Sequence, residues 1–316
     1  LSFSPDGTKL GLTLNSPQNP ADVFVLTLAD KTLQRWTSSE VGGLDASTFP
    51  VPTLISYDTF DAGADGKPRQ IPAFYYKPAK ADAKSPAPVV IYIHGGPEGQ
   101  FAPSFSPGIP FYVNELGIAF VAPNVRGSSG YGKSWLDLDN GEKREDSVKD
   151  IGALLDWIAK QPELDAKRVA VWGGSYGGYM VLASLIHYPD QIRCGVEEVG
   201  ITHFVTFLKN TEDYRRDLRR VEYGDERDPH MAQVLEEISP LTHAEKLVRP
   251  LFIVAGANDP RVPASEAEQL LAALKKNKQA PWYLLAKDEG HGFAKKANRD
   301  FLGAARVLFF QEFLTK

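Results

Sequence analysis

Apolar positions along this chain follow two rhythms. Over residues 1–45, short β-rich runs such as "LGLTL" and "DVFVLTL" are separated by turn chemistry at Pro5-Asp6-Gly7, at Asn15 to Pro20 and at Ala29-Asp30-Lys31. That spacing predicts three or four short antiparallel strands. From about residue 50, β-runs alternate with amphipathic helical stretches, which predicts a mainly parallel sheet covered on both faces. The predicted strands are Ile71 to Tyr76, Val89 to Ile93, Ile118 to Ala122, Val169 to Trp172, Cys194 to Val199, Leu251 to Ala255 and Trp282 to Leu285. Several are continuously apolar, as doubly covered strands must be. Between them, Val148, Ile151, Leu154, Leu155 and Ile158 recur at helical spacing behind Asp146, an expected N-cap, and Gln161-Pro162 stops the helix. Leu302, Val307, Phe309, Phe310 and Phe313 mark a closing helix. The expected division is a β segment over 1–45 and an α/β domain over 46–316.

With 316 residues, 43% of them hydrophobic, the chain can bury a core of ordinary size. A net charge of −5 argues against a surface built to neutralise phosphates, so nucleic acid is not an expected partner. The basic run Arg215, Arg216, Arg219, Arg220 is interrupted and followed by acids, and reads as a solvated, salt-bridged helix face. One cysteine, Cys194, excludes an intrachain disulfide and leaves the compartment open. No apolar run approaches the roughly 20 residues of a membrane span. The chain begins at Leu1 in mid-pattern, so the natural N-terminus is expected upstream.

The chemistry concentrates in "VAVWGGSYGGYMVLASLI", where a buried strand runs through Gly173-Gly174-Ser175-Tyr176-Gly177 directly into an apolar helix. A serine on so sharp a strand-to-helix turn needs small residues two positions away on each side, and Gly173 and Gly177 meet that need. This is the nucleophile elbow of an α/β-hydrolase fold, with Ser175 as nucleophile. The glycines do not fall at GxGxxG spacing, so a dinucleotide fingerprint is excluded. A serine hydroxyl needs a histidine to take its proton and a carboxylate to orient that histidine. In this fold they follow in the order acid, then histidine, in loops after later strands. "LFIVAGANDPRVP" bears Asp259 and "WYLLAKDEGHGF" bears His291, which complete the expected triad. Asp288 and Glu289 lie after the last strand and are poorer orienters. His187, His203, His230 and His243 sit in helical, charged or unrelated contexts. Two backbone donors are required for the oxyanion, one from Tyr176 and one from Gly95 or Gly96 in "VVIYIHGGPEG", where the His94 side chain is read as a brace.

The ordered set "HGGP", "NVRGSSGYG", "GGSYGGYM", "GANDPRVP" and "DEGHGF", behind a blade-like "SPDG" start, resembles the catalytic half of the prolyl oligopeptidase family of serine peptidases. The nearest branch is the acylaminoacyl peptidase and dipeptidyl peptidase group. Residues 1–45 are expected to be the propeller-blade remnant of this likeness, or a small β appendage packed on the hydrolase domain. The resemblance implies that Arg261 holds a substrate carbonyl or carboxylate. It further implies that Tyr176, Ile201, Phe204, Phe207 and Val262 line a pocket for an apolar residue before the scissile bond. In dipeptidyl peptidases the propeller supplies an acidic pair for a free amino terminus, and Glu197-Glu198 is read here as a local structural feature rather than its substitute. The expected reaction is hydrolysis of amide bonds in short or N-blocked peptides through an acyl-enzyme. The alternative is a carboxylesterase using the same triad, and the complete triad argues against a catalytically dead binding module. No cofactor or metal is required, the expected partner is a peptide or small acyl substrate, and homo-oligomerisation stays open.

Overall fold

The computed structural model describes residues 1–63 and 65–316. Strands β1 (Ser2–Phe3), β2 (Lys9–Leu14), β3 (Asp22–Thr27) and β4 (Leu33–Arg35) form an antiparallel sheet in sequence order. Its turns are made as the composition implies. The Asp6 carboxylate accepts from the Ser4 hydroxyl (2.6 Å) and the Thr8 amide (3.1 Å), while Gly7 takes φ +69°. Buried Asp22 gathers Arg35, Thr37 and Ser39, tying the segment after β4 to β3.

The second sheet has eight strands: β5 (Thr53–Ala62), β6 (Pro68–Tyr76), β7 (Ala87–Ile93), β8 (Ala119–Pro123), β9 (Leu164–Gly174), β10 (Cys194–Glu198), β11 (Leu251–Gly256) and β12 (Trp282–Ala286). Their order is β12-β11-β10-β9-β7-β8-β6-β5, parallel except that β6 runs antiparallel to both its neighbours, β8 and β5. Helices are α1 (Gly108–Pro110), α2 (Lys133–Leu136), α3 (Asp146–Ile158), α4 (Tyr176–His187), α5 (Phe204–Asn210), α6 (Asp213–Tyr223), α7 (Pro229–Glu237), α8 (Ala264–Lys276) and α9 (Lys296–Phe313). None is long and apolar enough to cross a membrane among the described residues.

The apolar runs sort by the period of two along each strand. Val89, Ile91 and Ile93, Val169 and Val171, and Leu251 and Ile253 face one core with α3, α4 and α8. Val90, Ala170, Phe252 and Val254 face the other, closed by Phe309 and Phe310 of α9. Cys194 lies in that second core, where burial pushes its thiol up to about 12.

Two expectations change. β5 lies at the sheet edge with only Tyr57 and Thr59 buried, too little apolar pattern to mark it in the sequence. Asp146 is the first residue of α3 rather than its cap, and its carboxylate pairs with Lys149 (2.7 Å) in the first turn.

After β7 the chain moves outward to β8 and then returns across the sheet to β9. The β7/β9 boundary is therefore the topological switch point, where open α/β sheets form a crevice beyond their strands' carboxyl ends. A buried ion network braces this side. Arg126 donates to both carboxylate oxygens of fully buried Asp150 (2.9 and 3.0 Å) and to Asp61 (2.8 Å), and Thr59 donates to Asp150 (2.7 Å). Removing Asp150 takes from buried Arg126 its one fully buried partner and leaves it with the partly exposed Asp61. Asp150→Ala is therefore expected to lower unfolding free energy by about 3–5 kcal/mol, read from urea denaturation.

Candidate active site

Strand β9 ends at Gly174 and α4 starts at Tyr176, so Ser175 alone makes the turn, with φ +59° and ψ −123°. That conformation is unfavourable for any side chain and persists only where its surroundings force it. Here they do. A Cβ at Gly177 would lie 2.2 Å from the Ile93 carbonyl oxygen, and one at Gly173 would lie 2.5 Å from the Gly177 carbonyl oxygen. The Ser175 amide is fixed by the Glu198 carbonyl (2.8 Å), and the Ser175 carbonyl accepts the first α4 amides, Gly178 (2.9 Å) and Tyr179 (3.2 Å).

Asp259 and His291 follow β11 and β12, two neighbouring parallel strands. His291 Nε2 lies 2.9 Å from Ser175 Oγ, and His291 Nδ1 lies 2.8 Å from Asp259 Oδ2. The other oxygen of Asp259 accepts from the amides of Arg261 (2.8 Å) and Val262 (3.1 Å), and its side chain is fully buried. Both oxygens are thus committed, and the carboxylate can orient only one imidazole. Asp288 and Glu289 are occupied elsewhere. Glu289 accepts from Asn298 (2.7 Å) and from the amides of Ala294 (2.9 Å) and Lys295 (3.0 Å), which hold its carboxyl below the usual range. Asp288 pairs with Lys295.

The loop after β7 packs directly on the elbow, since a Cβ at Gly95 would stand 3.1 Å from the Gly174 carbonyl oxygen and 3.4 Å from Ser175 Cβ. His94 does not reach Ser175. Its ring spans Gly95 O (2.9 Å) and Ser128 Oγ (2.8 Å), and burial lowers its pKa, favouring a neutral brace. Tyr176 opens α4, so its amide has no carbonyl four residues back within the helix. Its side chain is buried, with the hydroxyl on Ser147 (2.7 Å) and Asp139 (3.2 Å). The remaining histidines have other partners: His187 with Glu145, His203 with Glu236, His230 with Glu142 and His243 with the Glu237 carbonyl.

A cavity of about 350 Å³ contains Ser175, His291, Gly95, Gly96 and Arg261. The five apolar or aromatic side chains expected in a substrate pocket, Tyr176 included, are not on its wall. Ile201, Phe204, Phe207 and Val262 are at most 5% exposed and belong to the apolar core. Phe204 packs edge-on against Tyr179 (4.7 Å) and against Tyr223 (5.0 Å). Val199, Val254, Phe293 and Leu302 line the cavity instead, together with Arg215 and Arg219. Those two arginines were expected on a solvated face, and they are the residues that helical charge spacing missed.

Glu197 and Glu198 part company. Glu198 holds Arg306 (2.6 Å) and the Trp172 indole (3.1 Å). Glu197 is fully buried, with one oxygen on the Gly200 amide (2.9 Å) and the other without a partner among the described residues. Burial pushes its carboxyl up from 4.5 to about 8. An acid so raised is protonated in the native protein and ionised in the unfolded chain between those values. Its contribution to stability is therefore complete below about pH 4.5 and is lost as pH rises through 8. Unfolding free energy should fall by about 1.4 kcal/mol per pH unit on this account, and Glu197→Gln should flatten the slope in denaturation series run across that window. Gly177→Ala, which drives a methyl into the Ile93 carbonyl, is expected to cost about 1–3 kcal/mol in a thermal melt and to misplace Ser175, with turnover falling at least about 100-fold.

A family model described as the prolyl oligopeptidase family matches residues 103–316. Dipeptidyl aminopeptidase BIII of Pseudoxanthomonas mexicana is 35% identical over 267 residues, covering 83% of this chain and 37% of that protein. The acylamino-acid-releasing enzyme of Mus musculus is 27% identical over 208 residues, covering 64% of this chain and 28% of that protein. The chain thus spans well under half the length of these curated relatives. Among solved structures, a puromycin-hydrolyzing peptidase of Mycobacterium tuberculosis aligns with a TM-score of 0.87 at 25% identity, over 98% of this chain and 46% of that one.

Proposed function

Because this chain belongs to the prolyl oligopeptidase family of serine peptidases, we propose that it hydrolyses amide bonds of short or N-blocked peptides through an acyl-enzyme on Ser175. What supports the reading is the continuous hydrogen-bonded line Ser175–His291–Asp259, with spacings of 2.9 and 2.8 Å, opening onto a cavity beside the Gly95-Gly96 loop. His291 Nε2 takes the Ser175 proton as Oγ attacks the acyl carbon. Asp259 holds the tautomer and stabilises the imidazolium that forms. The Tyr176 amide and an amide of Gly95 or Gly96 receive the oxyanion, helped by the positive end of α4. His291 then gives its proton to the leaving amine, the acyl group stays on Ser175, and water attacks through the same base.

Arg261, at the mouth of the cavity, is assigned to a substrate carbonyl or carboxylate, a task suited to its rigid fork. The apolar preference before the scissile bond is assigned to the apolar side chains that line the cavity, Val199, Val254, Phe293 and Leu302, with Tyr176, Ile201, Phe204, Phe207 and Val262 packed in the core. In this reading residues 1–45 are a blade-like β unit and 46–316 the catalytic domain.

The decisive assay compares an N-acylated aminoacyl anilide with the matching ester. Wild-type protein should cleave both. Ser175→Ala and His291→Ala should each lose about 10⁴-fold or more in kcat, and Asp259→Asn a comparable amount through the wrong tautomer. Ester turnover without amide turnover would replace the peptidase assignment with a carboxylesterase.

A further inference from the structure

The catalytic cavity carries more positive charge than the triad chemistry requires. Arg215, Arg219 and Arg261 all line it. Arg215 and Arg219 stand one helical turn apart on α6 and so share a face, while Arg216 and Arg220 point away and pair with Asp213 and Asp217. Glu198, the one acid on the cavity wall among the described residues, and two acids beside the wall are committed, while Glu98 after the Gly96 turn is exposed and lies near Glu222. Asp259 serves His291, Glu198 is held by Arg306 and Trp172, and Glu222 pairs with Arg219. Arg219 also donates to the Gly96 carbonyl (2.9 Å), which fastens α6 to the loop beside Ser175. Arg215 and Arg261 remain, two guanidiniums in one cavity with no carboxylate within 4.0 Å among the described residues. Two unpaired cations kept beside a nucleophile favour an anion and repel a free ammonium group.

We propose that Arg215 and Arg261, with Arg219 as the anchor of α6, form an anion-recognition face of the catalytic cavity, so that the preferred substrates carry a carboxylate on the acyl side of the scissile bond. An N-terminal dicarboxylic acyl group or an acidic residue one position further back supplies such a group. The inference rests on the peptidase reading for the side of the bond involved, but the electrostatic face is testable without turnover. Guanidinium and carboxylate meet through paired N–H donors, and an exposed contact of this kind weakens as salt shortens the screening length.

The test pairs N-succinyl-leucine and N-acetyl-leucine 4-nitroanilides, which differ by a carboxymethyl group carrying the one added charge. Wild-type protein should show kcat/KM about tenfold higher for the succinyl compound at low salt, with the ratio falling toward one at about 0.5 M NaCl. Arg215→Gln should reduce the ratio several-fold. Arg227→Gln, which removes the same charge from an exposed pair with Asp225, should leave it unchanged. The second arm measures binding of N-succinyl-leucine amide and N-acetyl-leucine amide to Ser175→Ala by calorimetry, alone and combined with Arg215→Gln. Equal binding of the two amides, or a preference that survives Arg215→Gln, overturns the proposal whatever the kinetics show. Preferential, salt-sensitive binding of the succinyl ligand without turnover of either anilide would uphold the anion face and sink the peptidase reading instead.

Discussion

Everything at the centre of this molecule depends on one backbone residue being held where side chains do not choose to be. The φ of +59° at Ser175 costs on the order of 1–3 kcal/mol. It is retained because the Ile93 carbonyl of β7 occupies the space next to Gly177, and the Gly177 carbonyl the space next to Gly173. The constraint is tertiary as well as local. It requires β7 and β9 to be neighbours in register, with Ile93 opposite Gly173, which only the return of the chain from β8 to β9 provides. The same adjacency places the loop after β7 against Ser175. Strained turn and adjoining glycine loop are therefore two consequences of one strand pairing.

That loop is in turn carried by residues with no part in the chemistry. The Asn124 side chain accepts the Phe101 amide (2.7 Å) and donates to its carbonyl (3.1 Å), Ser128 meets His94, and the Ser129 amide reaches the Gly99 carbonyl (2.8 Å). Arg126 between them is anchored to Asp150 and Asp61 and lies over the Phe60 ring at 4.4 Å. A buried ion pair adds little net stability, because desolvation consumes most of its attraction. Its effect here is geometric. With two backbone contacts on Asn124 and every guanidinium nitrogen of Arg126 bonded, the segment 124–129 holds His94, Gly99 and Phe101, which flank the Gly95-Gly96 backbone.

Much of this was legible in the sequence because it rests on short-range rules. The elbow needs glycines at fixed offsets, the triad follows a fixed chain order, and doubly covered strands read as apolar runs. The edge strand β5 was not legible, since burying only Tyr57 and Thr59 leaves almost no pattern. "NVRGSSGYG" was visible as a motif, yet its work as a brace was not, because its partners Asp61, Phe101 and Asp150 lie on other elements. Ile201, Phe204 and Phe207 show the converse. Their apolar character was plain, but core and pocket wall use the same side chains, and only packing against Tyr179 and Tyr223 separates the two uses.

Runs of like charge are where the one-dimensional reading fails most instructively. Glu197 and Glu198 are adjacent on β10, so the alternation of a strand sends them to opposite faces. Glu198 becomes a partner for Arg306, and Glu197 becomes a buried acid that burial keeps protonated. The four arginines of α6 divide by the period of a helix. Arg216 and Arg220 find Asp213 and Asp217 one turn away, whereas Arg215 and Arg219 line the cavity that contains Ser175. A pattern that looks uniform along the chain thus separates into a half paired along the helix and a half on the cavity wall. The division follows from the fold's periodicities applied to a helix held by the Arg219 contact with Gly96, by Arg144 on the Glu222 carbonyl and by Tyr223 against Phe204 and Phe207.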